Sequence, residues 1–195
     1  MMVRIIAGKA RSLRLKPGAG QTRPTSQRVR EAMFSRLESL CDISGASVLD
    51  LFAGVGSLGL EAASRGAEQV WLVENNAAAF RVLQSNIKLV EHGLTSACDT
   101  RAIKSDAARF LRATPQIRFD IAFADPPYGY DPRDTEKNLY KLGQWLSPNA
   151  FLVFETSARG PDLRLPEFFK DLGSKTYGET RVHWGQFTNG SQPSF

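Results

Sequence analysis

The residues best placed to do chemistry are Asp125-Pro126-Pro127-Tyr128, which follow the apolar run Ile121-Ala122-Phe123-Ala124. Such a run reads as a buried strand, and a stiff turn at a strand's carboxyl end lies where open α/β sheets bind ligands. Two successive prolines remove two backbone N–H donors, so the surrounding carbonyls are expected to lack local partners and to face an outside donor. An exocyclic amine is such a donor. Asp125 adds a carboxylate acceptor, and Tyr128 adds a flat ring on which a base can stack. Pro and Asp also form turns for purely local reasons, so the turn alone decides nothing.

A second group supports it. Gly54, Gly56 and Gly59 form G-x-G-x-x-G between an expected strand and an expected helix, the context in which this pattern accompanies a nucleotide cofactor. Asp50 stands four residues before Gly54, where a carboxylate would repel a pyrophosphate but suit a cofactor with a cationic amino-acid end. Glu74 falls about 20 residues after the loop, where an acid accepts ribose hydroxyls. Asp106, after the third strand, is placed to accept from an adenine amine. Acids at successive strand ends describe a site for S-adenosylmethionine better than one for NAD. Locally, Asp50 or Asp106 would also serve as a helix or turn cap.

Positioning these residues requires strands alternating with helices. The pattern predicts strands at 48–52, 70–74, 101–104, 121–124 and 151–154, with helices over 58–65, 77–91, 106–111 and 135–146 between them. This is the signature of a doubly wound, largely parallel sheet. Residues 175–177 and 181–184 around Gly178-Glu179 predict a terminal antiparallel hairpin, residues 3–6 and 13–15 a small N-terminal one. A helix opening at Pro24-Thr25-Ser26 carries Val29, Met33, Leu37 and Leu40 at helical spacing. His92 and His183 stand apart from the motifs and read as structural, and Trp71, Trp145 and Trp184 read as packing residues.

With 195 residues the chain forms a sizeable core, burying about 70% of its unfolded surface. Cys41 and Cys98 are too few for a disulfide framework or a metal cluster, so a reducing, cytoplasmic setting without metal is expected. No stretch approaches the ~20 apolar residues of a membrane span. The net charge of +5 is uneven: residues 1–36 hold nine Lys and Arg against Glu31 alone, or +8, and the remainder holds 16 basic and 19 acidic groups, or −3. A basic arm on a nearly neutral body fits a polyanion, because phosphate neutralisation is the sequence-independent part of nucleic-acid affinity. Lys9, Arg11, Arg14, Arg28 and Arg30 are the candidates for contacting its phosphates, which the family resemblance below makes those of RNA.

Taken together, Asp50-Leu-Phe-Ala-Gly54-Val-Gly56-Ser-Leu-Gly59, Glu74, Asp106 and Asp125-Pro-Pro-Tyr128 resemble the motifs of Rossmann-like amino methyltransferases dependent on S-adenosylmethionine. Arg4-Ile5-Ile6-Ala7-Gly8, the segment from Arg23-Pro24-Thr25-Ser26 to Phe34, and Leu58-Gly59-Leu60-Glu61-Ala62 through Gly66-Ala67 are similar to the bacterial small-subunit ribosomal RNA guanine-N2 methyltransferase family, RsmD type. The resemblance runs from about residue 3 to residue 187. It implies a class I fold with a seven-stranded, mostly parallel sheet, a C-terminal antiparallel hairpin and a small N-terminal β-hairpin. Residues 1–40 would then be a basic extension touching RNA and cofactor, 41–187 the methyltransferase domain, and 188–195 a tail. It further implies methylation of a guanine N2 in 16S ribosomal RNA or an assembling small subunit, by a monomer. Asp125, Pro126, Pro127 and Tyr128 would be catalytic. Asp50, Phe52, Ala53, Gly54, Gly56, Glu74, Asn75, Ser105, Asp106, Ala107 and Thr25 would hold the cofactor. The residue chemistry leaves three rivals open: a DNA adenine-N6 or cytosine-N4 methyltransferase, an NAD-dependent oxidoreductase, and a catalytically inert RNA-binding protein.

Overall fold

A computed structural model describes residues 3–18, 26–94, 97–127 and 129–188. Its elements run β1 (Val3–Arg4), β2 (Arg14–Leu15), α1 (Gln27–Glu38), β3 (Ser47–Asp50), α2 (Gly59–Ser64), β4 (Gln69–Glu74), α3 (Ala77–Gly93), β5 (Asp99–Lys104), α4 (Ala107–Leu111), β6 (Phe119–Ala124), α5 (Pro132–Leu142), β7 (Leu146–Ser157), β8 (Phe169–Tyr177) and β9 (Thr180–Phe187). The sheet has seven strands in the order β5-β4-β3-β6-β7-β9-β8. Strands β3 to β7 pair in parallel, and β9 and β8 add an antiparallel edge.

The chain winds outward from β3 through β4 to β5, then returns to β6 on the other side of β3. The β3/β6 junction is therefore the topological switch point, where a crevice opens at the strands' carboxyl ends. Asp50 is level with Phe123 across that junction, so the Asp125 turn begins two residues beyond Asp50.

Both faces of the sheet are covered. One apolar cluster joins Val48, Val70, Leu72 and Phe123 to Phe34 and Leu37 of α1, Leu60 of α2, Leu83 of α3, and Ile5 and Leu15 of the N-terminal hairpin. The other joins Leu49, Trp71 and Ala122 to Phe110 of α4, Leu139 of α5 and Trp145. Trp71, Phe110, Phe119 and Trp145 form an aromatic group with centroid separations of 4.3 to 6.4 Å. Trp184 is buried beneath the Arg36 guanidinium, 4.2 Å from its ring. All three tryptophans therefore pack, as expected.

Helix boundaries follow capping chemistry. Ser26 accepts from the Val29 N–H at 3.3 Å, Asn76 from the Ala78 and Ala79 N–H groups, and Asp131 from that of Arg133. The cap at Asp131 explains one departure from the sequence pattern. Pro132 occupies the first turn of α5, where a missing N–H costs nothing, so the helix starts three residues before the expected Thr135. It ends at Leu142 in a short 3₁₀ turn. Strand β8 is also longer than the expected 175–177. Between buried Phe169 and half-buried Leu172 stand the exposed Lys170 and Asp171, and the register slips between Asp171 and Ser174 around Gly173, which hides the strand from a period-two reading.

Candidate active site

The glycine loop leaves β3 at Asp50 and enters α2 at Gly59. Gly54 and Gly56 have φ of 56° and 91°, a region that side-chain-bearing residues rarely adopt. A Cβ on Gly56 would fall 2.7 Å from a Leu83 methyl, whereas a Cβ on Gly54 would meet nothing within 4 Å. Gly56 is thus required for packing under α3, and Gly54 borders open space. The loop is tied to β4 because the Gly54 N–H donates to Glu74 Oε2 at 2.8 Å and Glu74 Oε1 accepts from the Asn76 N–H. Each carboxylate oxygen retains a further lone pair, enough for the two hydroxyls of a ribose. Asn75 is exposed beside it, its carbonyl taking the Lys104 ammonium.

Asp50 is 1% exposed. Its Oδ2 accepts from the Gly59 N–H at 3.0 Å, while Oδ1 is buried without a hydrogen-bond partner among the described residues. Burial, with the neighbouring charges of Asp125 and Glu74 adding to it, pushes its carboxyl up to about 7. A buried acid with one oxygen lacking a geometric hydrogen-bond partner suits a cationic group, and an amino-acid ammonium is one. Three features therefore fit S-adenosylmethionine: the orphaned oxygen, the open space at Gly54 and the anchored Glu74.

Asp106 caps α4, its Oδ1 accepting from the Arg109 N–H at 2.8 Å. The local reading of this residue is thus true of one oxygen. Ser105 donates to the Asp106 carbonyl, and Ala107 is buried at the helix start. Ala53 is likewise buried, its N–H bonded to the Val73 carbonyl.

Across the switch point, Asp125 and Pro126 are half-buried and Pro127 is exposed. The expectation that both proline carbonyls lack local partners is corrected at one position. The Pro127 carbonyl accepts from the Tyr130 N–H at 3.0 Å, closing the turn. That closure brings Tyr130 edge-on to Phe52, with centroids 5.4 Å apart, and the Tyr130 hydroxyl accepts from Asn138 of α5 at 2.8 Å. Phe52 therefore packs against the acceptor turn, and Tyr130 joins the two halves of the site. Sequence spacing gave no sign of that bridge. Tyr128 and Thr25, named for catalysis and cofactor binding, lie outside the described residues.

Asp125 and Pro126 also border a cavity of about 1290 Å³. Its walls come from the start of α1 (Ser26, Arg28), the end of β7 (Glu155, Thr156) and the β8–β9 turn (Lys175, Tyr177). Asp50 and Glu74 lie apart from it, and Asp125 belongs to both regions through its charge on Asp50.

The basic candidates divide. Lys9, Arg11 and Arg14 are exposed on the hairpin, and Arg28 is exposed at the cavity. Arg30 is not an RNA contact, which corrects the sequence reading. It is 1% exposed, donates to the Arg4 carbonyl at 2.8 Å and the Ser57 carbonyl at 3.3 Å, and lies 4.0 Å from Glu61. The turn of α1 that exposes Arg28 points Arg30 inward. Glu61, fully buried, also accepts from Ile6 N at 2.7 Å, Ala7 N at 3.0 Å and Arg65 Nε at 2.8 Å. The hairpin is thereby fastened to α2, directly behind the glycine loop. His183 is structural as expected, its ring bonded to Thr156 Oγ1 at 2.9 Å and its pKa lowered by burial.

With this geometry in place, relatives can be compared. A family model described as conserved hypothetical protein 95 matches residues 3–186. The chain is 36% identical over 186 residues to the YlbH protein of Bacillus subtilis, covering 92% of this chain and 96% of that one. It is 35% identical over 179 residues to ribosomal RNA small subunit methyltransferase D of Haemophilus influenzae, covering 90% and 89%. The chain belongs to the RsmD family. Among solved structures, the yhhF protein of Escherichia coli superposes with a TM-score of 0.83 at 29% identity, over 96% of this chain and 99% of that one. The family's fold is the class I methyltransferase fold, and the chain is a methyltransferase. This removes the oxidoreductase reading of the glycine motif.

Proposed function

We propose that the chain transfers a methyl group from S-adenosylmethionine to the exocyclic N2 amine of a guanine in 16S ribosomal RNA. The observation that carries this reading is the pairing across the switch point. Asp50, with its unsatisfied oxygen, stands one strand from Asp125, which faces a nucleotide-sized cavity. The ribosomal RNA substrate is supported by the names of the family's members and by the basic hairpin.

When bound, S-adenosylmethionine supplies an electrophilic methyl on a sulfonium. Asp50 pairs with its ammonium end, Glu74 accepts from the ribose hydroxyls, and Asp106 accepts from the adenine amine. Phe52, Ala53, Asn75, Ser105 and Ala107 complete that wall, and Thr25 is a further binding candidate from the family resemblance. The guanine amine is a poor nucleophile because its lone pair is delocalised into the ring. Asp125 and the Pro126 carbonyl accept its two hydrogens, which favours a pyramidal nitrogen aimed at the methyl, and Asp125 takes up the proton the amine releases. Tyr128 stacks on the base, worth about 1–3 kcal/mol. Catalysis is then mainly positioning. The amine is inaccessible in a stacked helix, so the nucleotide enters the cavity extruded or already unpaired.

Methyl transfer from labelled S-adenosylmethionine to naked 16S RNA, assembling small-subunit particles and duplex DNA tests this directly. N2-methylguanine in the ribosomal substrates, read by mass spectrometry, is the expected product. Label on DNA adenine or cytosine, with none on ribosomal RNA, overturns the reading. So does RNA binding without transfer to any of the three.

A further inference from the structure

The Asp-Pro-Pro-Tyr turn can present any aromatic amine, so something else must select guanine. Strands β6 and β7 are parallel and in register, with Ala124 beside Phe154. One residue further, Asp125 follows Ala124 and Glu155 follows Phe154 on adjacent chain segments, and both line one cavity. They share a face. Phe123 and Val153 pack in the α1-side cluster, Ala124 and Phe154 in the opposite one, so alternation turns Asp125 and Glu155 back towards α1.

Glu155 is 4% exposed, yet it lines the same cavity as Asp125. It is close enough to Arg30 to act on that guanidinium's charge. Arg30 is itself fixed by the Arg4 and Ser57 carbonyls. An acid this buried, in the field of an immobilised arginine, offers a carboxylate acceptor in the cavity wall. Its chemistry matches one base edge. In guanine the N2 amine adjoins an N1–H donor; in adenine the ring nitrogen beside the amine is a bare acceptor, as is N3 of cytosine. Resting on the guanine-N2 reading, we propose that Glu155 is the specificity-determining residue that accepts the N1–H while Asp125 holds the N2 amine, so that adenine and cytosine meet carboxylate against lone pair.

2-Aminopurine keeps the amine and presents a bare N1, losing O6 as well; the O6 loss is common to wild type and Glu155→Gln, so the change in guanine preference between the two isolates the N1 contact. Small-subunit particles are prepared with guanine or 2-aminopurine at the position that mass spectrometry identifies as modified, and initial rates of N2 methylation are compared. A charge-assisted hydrogen bond replaced by a lone-pair clash gives the wild-type protein a preference for guanine of about 100-fold or more. In Glu155→Gln the amide donates to the N1 lone pair, and the preference falls below about tenfold or reverses. This ratio is independent of the folded fraction. A wild-type preference below about threefold overturns the assignment without any variant, as does a Glu155→Gln ratio equal to that of wild type. If Glu155→Gln transfers to neither base, Glu155→Asp decides: a slower guanine reaction with preference retained supports the contact, and wild-type rates overturn it. A wild-type protein that leaves guanine N2 unmethylated in every particle overturns the function itself, a result distinct from a failed ratio.

Discussion

The two halves of the sheet are built on different principles. From β3 to β5, the site is made by backbone and carboxylates within short stretches of chain: Gly54 on Glu74, Gly59 on Asp50, Arg109 on Asp106. From β6 to β8, it is a cavity whose walls come from Ser26, Asp125, Glu155 and Lys175, distant in sequence and joined by strand order. The first half is held by local backbone hydrogen bonds to carboxylates. The second is a wide cavity of about 1290 Å³. Asp125 and the Phe52–Tyr130 contact link them.

The strongest way to break this division is at the link. Asp125→Ala should lower kcat by about 10²–10⁴-fold while leaving the thermal shift induced by S-adenosylhomocysteine intact. Loss of that shift would mean the halves do not function separately. Close in size is an effect on folding. Glu61→Ala leaves Arg30 and Arg65 buried without their shared carboxylate and should cost about 3–5 kcal/mol in urea unfolding. Wild-type stability would show that the hairpin's anchorage lies elsewhere.

Asp50 sharpens the comparison through pH. Its carboxyl is raised to about 7 in the folded protein against about 3.9 in an unfolded chain, so the folded state binds the extra proton between those values. Stability contributed by this group is complete below about pH 4 and is lost as pH rises through about 7. A ligand ammonium favours the ionised form, so affinity for S-adenosylhomocysteine should rise with pH, by at most about tenfold per pH unit, and level off above about pH 7. Calorimetric titrations from pH 5 to 8 check this, and Asp50→Asn should bind weakly with a flat profile. A wild-type profile that is also flat would remove the ammonium from Asp50.

The smallest effect belongs to the hairpin. Reversing the charges at Lys9, Arg11 and Arg14 should weaken RNA binding and reduce the slope of log K against log salt by about 0.7–0.9 for each phosphate no longer neutralised. An unchanged slope would take the hairpin out of the interface.

Much of the first half was legible in the sequence because its interactions are local or follow strand alternation. Asp50, the glycines and Glu74 have their positions set by distance along the chain from a strand end. The strand-helix alternation and both hairpins were legible for the same reason. Arg28 and Arg30 show where legibility stops. Both are arginines in a basic arm, and only the packing of α1 against Arg4, Ser57 and Glu61 makes one a surface cation and the other a core strut. Tyr130 was hidden because its partners, Phe52 and Asn138, lie on other elements.

The sequence by itself determined the order of elements, the left-handed glycine loop and the acids at successive strand ends, since these depend on backbone conformation and periodicity. The tertiary structure alone decided which acids became neighbours. Strand order carries the chain back across β3, bringing the Asp125 charge to bear on Asp50 and placing Asp125 and Glu155 in the wall of one cavity. Burial at that junction raises the Asp50 carboxyl, while Asp125 and Glu155 line one cavity.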